Sequence, residues 1–282
     1  MRIGCIGLGA MGRPMGGRLA AAGHAVTGFD RDPGRRAEGV APAGGLAEAI
    51  AGREALLLSL PDSPAVEAVM EAVYEQGAPG LLVVDTSTAD PLSTRAIQER
   101  AAARGIGFVD APVSGGASGA AQGRLLAMIG GAEPDLDRTE ALLAPLTRAV
   151  VRCGGPGAGN VAKLVNNLMC AAHLVLAGEA LRLGEAAGIA PETLAAVLAA
   201  GSGRSAAIEV NLPQWVFSGT YDSGFTMGLM AKDVRLARAL GEAVEALGPL
   251  AEAAAERVAE GEARFGAAAD FNRLVDLGRG GA

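Results

Sequence analysis

Ile6-Gly7-Leu8-Gly9-Ala10-Met11-Gly12 follows an apolar stretch at the very start of the chain, and its neighbours on either side decide the fold. Arg2 to Ile6 reads as a short buried strand and Ala10 to Ala22 as a helix ending at Gly23, so the three glycines mark a strand-to-helix junction. Gly7 permits a tight turn. Gly9 lets backbone approach a ligand without a side chain in the way, and Gly12 lets the helix pack closely on the strand. Free N–H groups at the start of that helix suit a pyrophosphate. A second apolar strand, Ala25 to Phe29, ends in Asp30, twenty-three positions after Gly7. That is close to the spacing of a carboxylate that binds adenosine ribose hydroxyls. Glycine spacing alone is weak evidence in a chain with 42 glycines; strand, helix, second strand and acid in register point to a dinucleotide.

The 282 residues suffice for two domains, and with half of them apolar a sizeable core is expected. A net charge of −7 disfavours a nucleic-acid surface, and Arg35-Arg36 is a pair rather than a basic patch. Cys5, Cys153 and Cys170 are widely spaced, odd in number and without a CxxC pair, which speaks for a reducing compartment and buried thiols rather than disulfides or zinc. The first strand leaves no room for a signal peptide, and charged or glycine residues interrupt the apolar runs. A cytoplasmic protein acting on a small metabolite, without membrane or nucleic acid, is the expectation.

Short runs alternate up to about Val151: Ala55 to Leu60, then Pro64 to Glu75; Leu81 to Asp85, then Pro91 to Arg104; Gly107 to Val109, then an amphipathic Arg124 to Ile129. This rhythm predicts α/β architecture, a doubly wound, mostly parallel sheet with helices on both faces. Gly154-Gly155-Pro156-Gly157 breaks it. Beyond lie helical patterns at Ala158 to Ala187, Pro191 to Ala199, Met230 to Leu247 and Leu250 to Glu262. Two domains are expected, a Rossmann-type unit over 1–156 and an all-helical unit over 157–282. A helix as long as the first of these is expected to run between domains or into a neighbouring subunit.

Chemistry has few candidate carriers. His24 and His173 are the two histidines, one in a turn and one in an apolar helical stretch, and both read as structural; no zinc-ligand cluster is visible. Lys163 and Asn167 share a face of the long helix among Val161, Leu164, Val165 and Leu168. A lysine there either snorkels from a packed helix or, losing hydration beside a nicotinamide cation, trades a proton with a substrate hydroxyl near neutral pH. Ser114-Gly115-Gly116, in the run Asp110-Ala-Pro-Val-Ser-Gly-Gly116, reads as an anion nest suited to a carboxylate or as a plain turn. Asp233, in Met230-Ala-Lys232-Asp233-Val234, reads as a helix cap or as a site residue.

Taken together, the blocks Gly7-Leu-Gly-Ala-Met-Gly-Arg-Pro-Met15, Asp110 to Gly116, Gly157 to Asn167 and Lys232-Asp233 resemble the β-hydroxyacid dehydrogenases. That family includes 3-hydroxyisobutyrate dehydrogenase, tartronate semialdehyde reductase and, more distantly, 6-phosphogluconate dehydrogenase. The resemblance covers nearly the whole chain. It implies a Rossmann domain joined through the long helix to a helical domain, with a three- or four-carbon hydroxy acid meeting the nicotinamide in a cleft between them. Lys163 matches the catalytic lysine, which accepts the hydroxyl proton in oxidation and returns it in reduction. Asn167 matches a residue that holds lysine and substrate, and Ser114, Gly115 and Gly116 match the carboxylate-binding turn. Gly7, Leu8, Gly9, Ala10, Met11 and Gly12, with Asp30, Arg31, Leu60, Pro61 and Thr88, match cofactor contacts, and Lys232 matches a lysine at the cofactor and substrate edge. Asp30 favours NAD by repelling a 2′-phosphate. NADP stays possible, because Arg31 can stack on adenine or grip a phosphate.

The resemblance thus predicts an oxidoreductase moving hydride between NAD(P) and a 3-hydroxyisobutyrate-like acid or its semialdehyde, assembled as a homodimer or homotetramer. Gly224-Phe225 and Leu229 to Asp233 look more like the hydroxyisobutyrate enzymes, while Pro61 to Val66 leans toward semialdehyde reductases, so a tartronate, succinic semialdehyde or glyoxylate-type reductase is the alternative. An imine reductase shares the architecture but commonly lacks the lysine. A non-catalytic cofactor-binding module predicts loss of the lysine or the serine turn, and a decarboxylating sugar-phosphate enzyme predicts extra basic residues beside the motifs.

Overall fold

A computed structural model describes residues 1–278. Its contacts divide the chain into two compact units, Met1–Lys163 and Leu164–Ala282. The first unit runs β1 (Arg2–Ile6), α1 (Gly12–Ala21), β2 (Ala25–Phe29), β3 (Ala41–Pro42), α2 (Leu46–Ile50), β4 (Ala55–Leu58), α3 (Ser63–Gln76), β5 (Leu82–Asp85) and α4 (Pro91–Ala102). It continues through β6 (Gly107–Asp110), β7 (Val113–Ser114), α5 (Gly116–Gln122), β8 (Leu125–Gly130), α6 (Glu133–Leu143) and β9 (Thr147–Gly154). The strands form one sheet ordered β3-β2-β1-β4-β5-β6-β8-β7, with β9 beside β8.

Pairing is parallel from β3 across to β6. β8 then runs antiparallel to β6 and β7 and parallel to β9. The run around Arg124 to Ile129, expected as an amphipathic segment, is therefore a strand. Its residues Leu125, Ala127 and Ile129 are fully buried, and a six-residue apolar run carries no period that separates the two readings.

Strand alternation builds a core on each face of the sheet. In β4, Ala55 and Leu57 join one cluster with Ile3, Cys5, Leu82 and Val84, whereas Leu56 and Leu58 join another with Val66, Met70, Val83 and Phe108. The covering helices start where their sequences dictate. Asp62 accepts from the Ala65 N–H at 2.9 Å and Asp90 from the Leu92 N–H at 3.0 Å, each with proline in the first turn, where a missing N–H costs nothing.

α7 (Ala158–Ala186) is continuous across the division between the units. The second unit adds α8 (Pro191–Ala200), a π-helical segment Ala207–Val216, α9 (Met227–Ala243), α10 (Pro249–Phe265) and a 3-10 turn Phe271–Asp276. Its core gathers Leu174, Leu181, Leu212, Met230, Val258 and Leu274. By length and composition α7 is apolar enough to cross a membrane. Its residues Ala171, Leu174, Ala177 and Leu181 are instead packed into this protein core.

Candidate active site

The glycine turn lies at the carboxyl end of β1, with β2 on one side and β4 on the other. Strand order reverses there, the place where open α/β sheets bind ligands. Gly7 has φ +90°, and its N–H donates to the Phe29 carbonyl at 2.9 Å. A Cβ on Gly12 would stand 1.8 Å from the Gly7 carbonyl oxygen, so these two glycines are demanded by the turn itself. Gly9 is different: a Cβ there would meet only the Arg35 Nη1, at 3.5 Å. The protein leaves space in front of Gly9, and α1 opens at Met11 without a side-chain cap. Ala10 is exposed, and Leu8 is buried. Bare backbone before uncapped helical N–H groups fits a pyrophosphate.

Asp30 directly follows β2, beside the glycine turn. Its Oδ2 accepts from the Leu8 N–H at 2.7 Å and its Oδ1 from the Asp32 N–H at 2.9 Å. The Arg35 guanidinium stands 3.5 Å from the same carboxylate. A cavity of about 200 Å³ opens here, lined by Leu8, Asp30, Arg31, Arg35 and Val40 among others. Arg31 and Arg35 both line this cavity from the loop between β2 and β3, and the sequence showed Arg35 only as half of the pair Arg35-Arg36, with no hint of its pairing with Asp30.

The remaining strand ends contribute in turn. The Leu60 N–H donates to Ser87 Oγ at 2.9 Å, tying the Leu60-Pro61 turn to the Ser87-Thr88 turn after β5. Ser114 ends β7, and Gly115 and Gly116 lead into α5 with φ +131° and +63°. They form an exposed turn that side chains with a Cβ rarely adopt. Lys163 lies in the second turn of α7 and is 8 % exposed.

The second unit carries Asn167 and Lys232. Asn167 Nδ2 donates to Asp233 Oδ2 at 2.6 Å, and Lys232 Nζ stands 3.1 Å from Asp233 Oδ1. The capping alternative for Asp233 fails. α9 begins at Met227 behind Thr226, whose side chain caps the Leu229 N–H, leaving Asp233 in the second turn, buried and bonded to Asn167.

Asp110 and Asn160, which the sequence offered only as members of their motifs, are both fully buried. Asp110 Oδ1 accepts from the Gly157 N–H and Oδ2 from the Asn160 N–H, each at 2.8 Å. Burial pushes its carboxyl up to about 6, against those backbone donors, which pull it down. Among the described residues no group of three or more His, Cys, Asp or Glu side chains is arranged to hold a metal.

Fold and turn together define a Rossmann dinucleotide-binding protein. A family model described as the NAD binding domain of 6-phosphogluconate dehydrogenase matches residues 2–155. One described as the NAD-binding of NADP-dependent 3-hydroxyisobutyrate dehydrogenase matches residues 157–277. The 2-(hydroxymethyl)glutarate dehydrogenase of Eubacterium barkeri is 36% identical over 249 residues, 86% of this chain and 83% of that protein. An NAD-dependent L-serine dehydrogenase of Pseudomonas aeruginosa is 36% identical over 263 residues, 88% of each chain. The solved structure of Mycobacterium tuberculosis 3-hydroxyisobutyrate dehydrogenase with L-serine matches with a TM-score of 0.92 at 33% identity, covering 99% of both chains. The chain belongs to the β-hydroxyacid dehydrogenase family, of the 3-hydroxyisobutyrate dehydrogenase type. It is an NAD(P)-dependent oxidoreductase.

Proposed function

We propose that this enzyme interconverts acids of the form HOCH2–CHR–COO− and their semialdehydes, with Lys163 as proton carrier. The three relatives' names share that substrate skeleton: 3-hydroxyisobutyrate, L-serine and 2-(hydroxymethyl)glutarate each carry a hydroxymethyl group beside a carboxylate-bearing carbon. The observation that carries the reading is a lysine 8 % exposed, on a helix anchored to the same unit as the dinucleotide turn.

The nicotinamide, when bound, supplies the hydride acceptor. Lys163 Nζ takes the hydroxyl proton as the C–H bond breaks, and returns it when a semialdehyde is reduced. The Ser114-Gly115-Gly116 turn offers a hydroxyl and backbone N–H groups to the substrate carboxylate. Asn167 orients substrate and lysine. The bond to the Asp233 carboxylate must use its Nδ2, and its Oδ1 accepts from Asn166 Nδ2 at 3.1 Å with a second lone pair still able to accept from a substrate hydroxyl. Asp30 supports a preference for NAD, and three free cysteines suit a reducing cytoplasm. Retention of Lys163 with Asn167 speaks against an imine reductase. Exposed Val165, Met169, Leu176 and Leu183 along α7 support a homodimer or homotetramer.

The test pairs a substrate panel with one variant. 3-Hydroxyisobutyrate, L- and D-serine, glycerate, 3-hydroxypropionate and short semialdehydes are assayed with both cofactors. Lys163→Ala is expected to lose about 10²–10⁴-fold in kcat with cofactor affinity retained. Near-normal turnover in that variant would remove Lys163 from its role.

A further inference from the structure

We propose that Asp110 and Asn160 are positioning residues for Lys163, setting the register of the first turn of α7 against the turn that follows β5. This rests on the reading of Lys163 as proton carrier. The first N–H groups of a helix have no partner within it, and one side-chain cap is the usual remedy. Here the cap comes from another strand. Asp110, the last residue of β6, lends one carboxylate oxygen to Gly157 and the other to Asn160, both at 2.8 Å. A carboxylate at this end also interacts favourably with the positive end of the helix dipole.

Asn160 then spends its own side chain on the cofactor side of the sheet. Its Oδ1 accepts from the Ala89 N–H at 3.0 Å, and its Nδ2 donates to Thr94 Oγ1, on α4, at 3.1 Å. Ala89 directly follows Thr88. Between the two anchors, a Cβ on Gly159 would stand 2.4 Å from the Met128 carbonyl oxygen, so helix backbone presses directly on β8. Within one turn α7 is thereby fixed to the loop after β5, to the end of β6 and to β8. Lys163 is three residues further on, and Asn160, Asp110 and Thr94 are all at most 1 % exposed.

The geometry turns a backbone contact into a catalytic tolerance, because a misplacement of about 1 Å in a reacting group can cost roughly 10²-fold in rate. Ordinary stabilisation of α7 would need Asp110 alone. The Asn160 side chain adds a link from the catalytic helix to the peptide next to Thr88, and that link is what a positioning role requires.

A double-mutant cycle reads it. Asn160→Ala is expected to lower kcat about 100-fold, with KM for the hydroxy acid and Kd for the cofactor changing less than about threefold. In a Lys163→Ala background the same substitution is expected to change the residual rate less than threefold, since the group it positions is gone. Additive losses, or a fall in kcat matching only a loss of folded protein by circular dichroism, would overturn the inference. Near-normal kcat in Asn160→Ala would do so too, while Lys163→Ala still collapses. Near-normal turnover in Lys163→Ala itself would instead bring down the function it rests on. Should Asn160→Ala fail to fold, Thr94→Val removes only the Nδ2 partner. It is expected to lower kcat about tenfold with the same background dependence, and an unchanged kcat there counts against the proposal.

Discussion

Asp30 does two things with one carboxylate. It holds the glycine turn through Leu8 and it lines the cavity beside that turn. In Asp30→Asn only one side-chain oxygen accepts, so either the Leu8 or the Asp32 N–H loses its partner, at a cost of about 1 kcal/mol. The negative charge opposing a 2′-phosphate disappears as well, while Arg31 and Arg35 stay beside it. The NAD-to-NADP ratio of kcat/KM is expected to narrow about tenfold, roughly 1.4 kcal/mol; an unchanged ratio would show that Asp30 is not near the ribose. Asp110 makes a different residue-scale prediction. Its carboxyl is raised from 3.8 to about 6 in the fold, chiefly by burial. The native state therefore binds this proton more tightly than the unfolded chain does. The group's contribution is fully present below pH 3.8 and is lost as pH rises through 6, amounting to roughly 3 kcal/mol. Asp110→Asn removes that titration. Urea unfolding at pH 7.5, 6 and 4.5 is expected to show the stability difference, wild type minus variant, growing as the pH falls, and a constant difference would refute the assignment.

At the scale of elements, what could be read from sequence was what local chemistry dictates. β1, β2, β4 and β5 are short apolar runs closed by glycine, acid or proline, and α3 and α4 announce themselves through Asp-Ser-Pro and Asp-Pro starts. Gly7 and Asp30 were singled out by their offsets from such elements, whereas Lys163 and Asn167 stayed open between a structural and a catalytic reading until the family resemblance gave them roles. The π-helical segment Ala207–Val216 was not, since Pro213 inside it breaks any helical period. Nor were the roles of Asp110 and Asn160, which depend on partners 47, 50 and 71 residues away. Asp233 was half legible: its motif was seen, but the start of α9 lies three residues earlier than the expected Met230, which turns a cap position into a buried one. That position is testable. Asp233→Ala leaves the buried Asn167 amide without its acceptor and Lys232 without the charge at 3.1 Å. A loss of about 2 kcal/mol in stability is expected, together with a raised KM for the hydroxy acid as Asn167 loses its fixed orientation. Urea unfolding and steady-state kinetics on one preparation check both, and an unaltered KM would detach Asn167 from the substrate.

Among the described residues, one face of α7 is apolar yet lies outside the helical core. α7 buries Ala171, Leu174, Ala177 and Leu181 in the helical core, yet the opposite side presents Val165, Met169, Leu176 and Leu183, with Leu176 62% and Leu183 74% exposed. These residues recur at three- and four-residue intervals or their sums, so they form one stripe along the helix. Single exposed leucines are ordinary; a stripe of them on a 29-residue helix is the feature on which the proposed homodimer or homotetramer rests. In a two-fold dimer each side chain is buried twice, so placing a charge at Leu183 removes about 3–6 kcal/mol of apolar burial from the contact. Leu176→Asp with Leu183→Asp is expected to weaken self-association at least 100-fold, read by sedimentation velocity across a dilution series. Helical content should stay at the wild-type level because neither side chain belongs to the helical core. A wild-type chain that sediments as a monomer at micromolar concentration, or a double variant that sediments as wild type does, would rule out this stripe as the subunit contact.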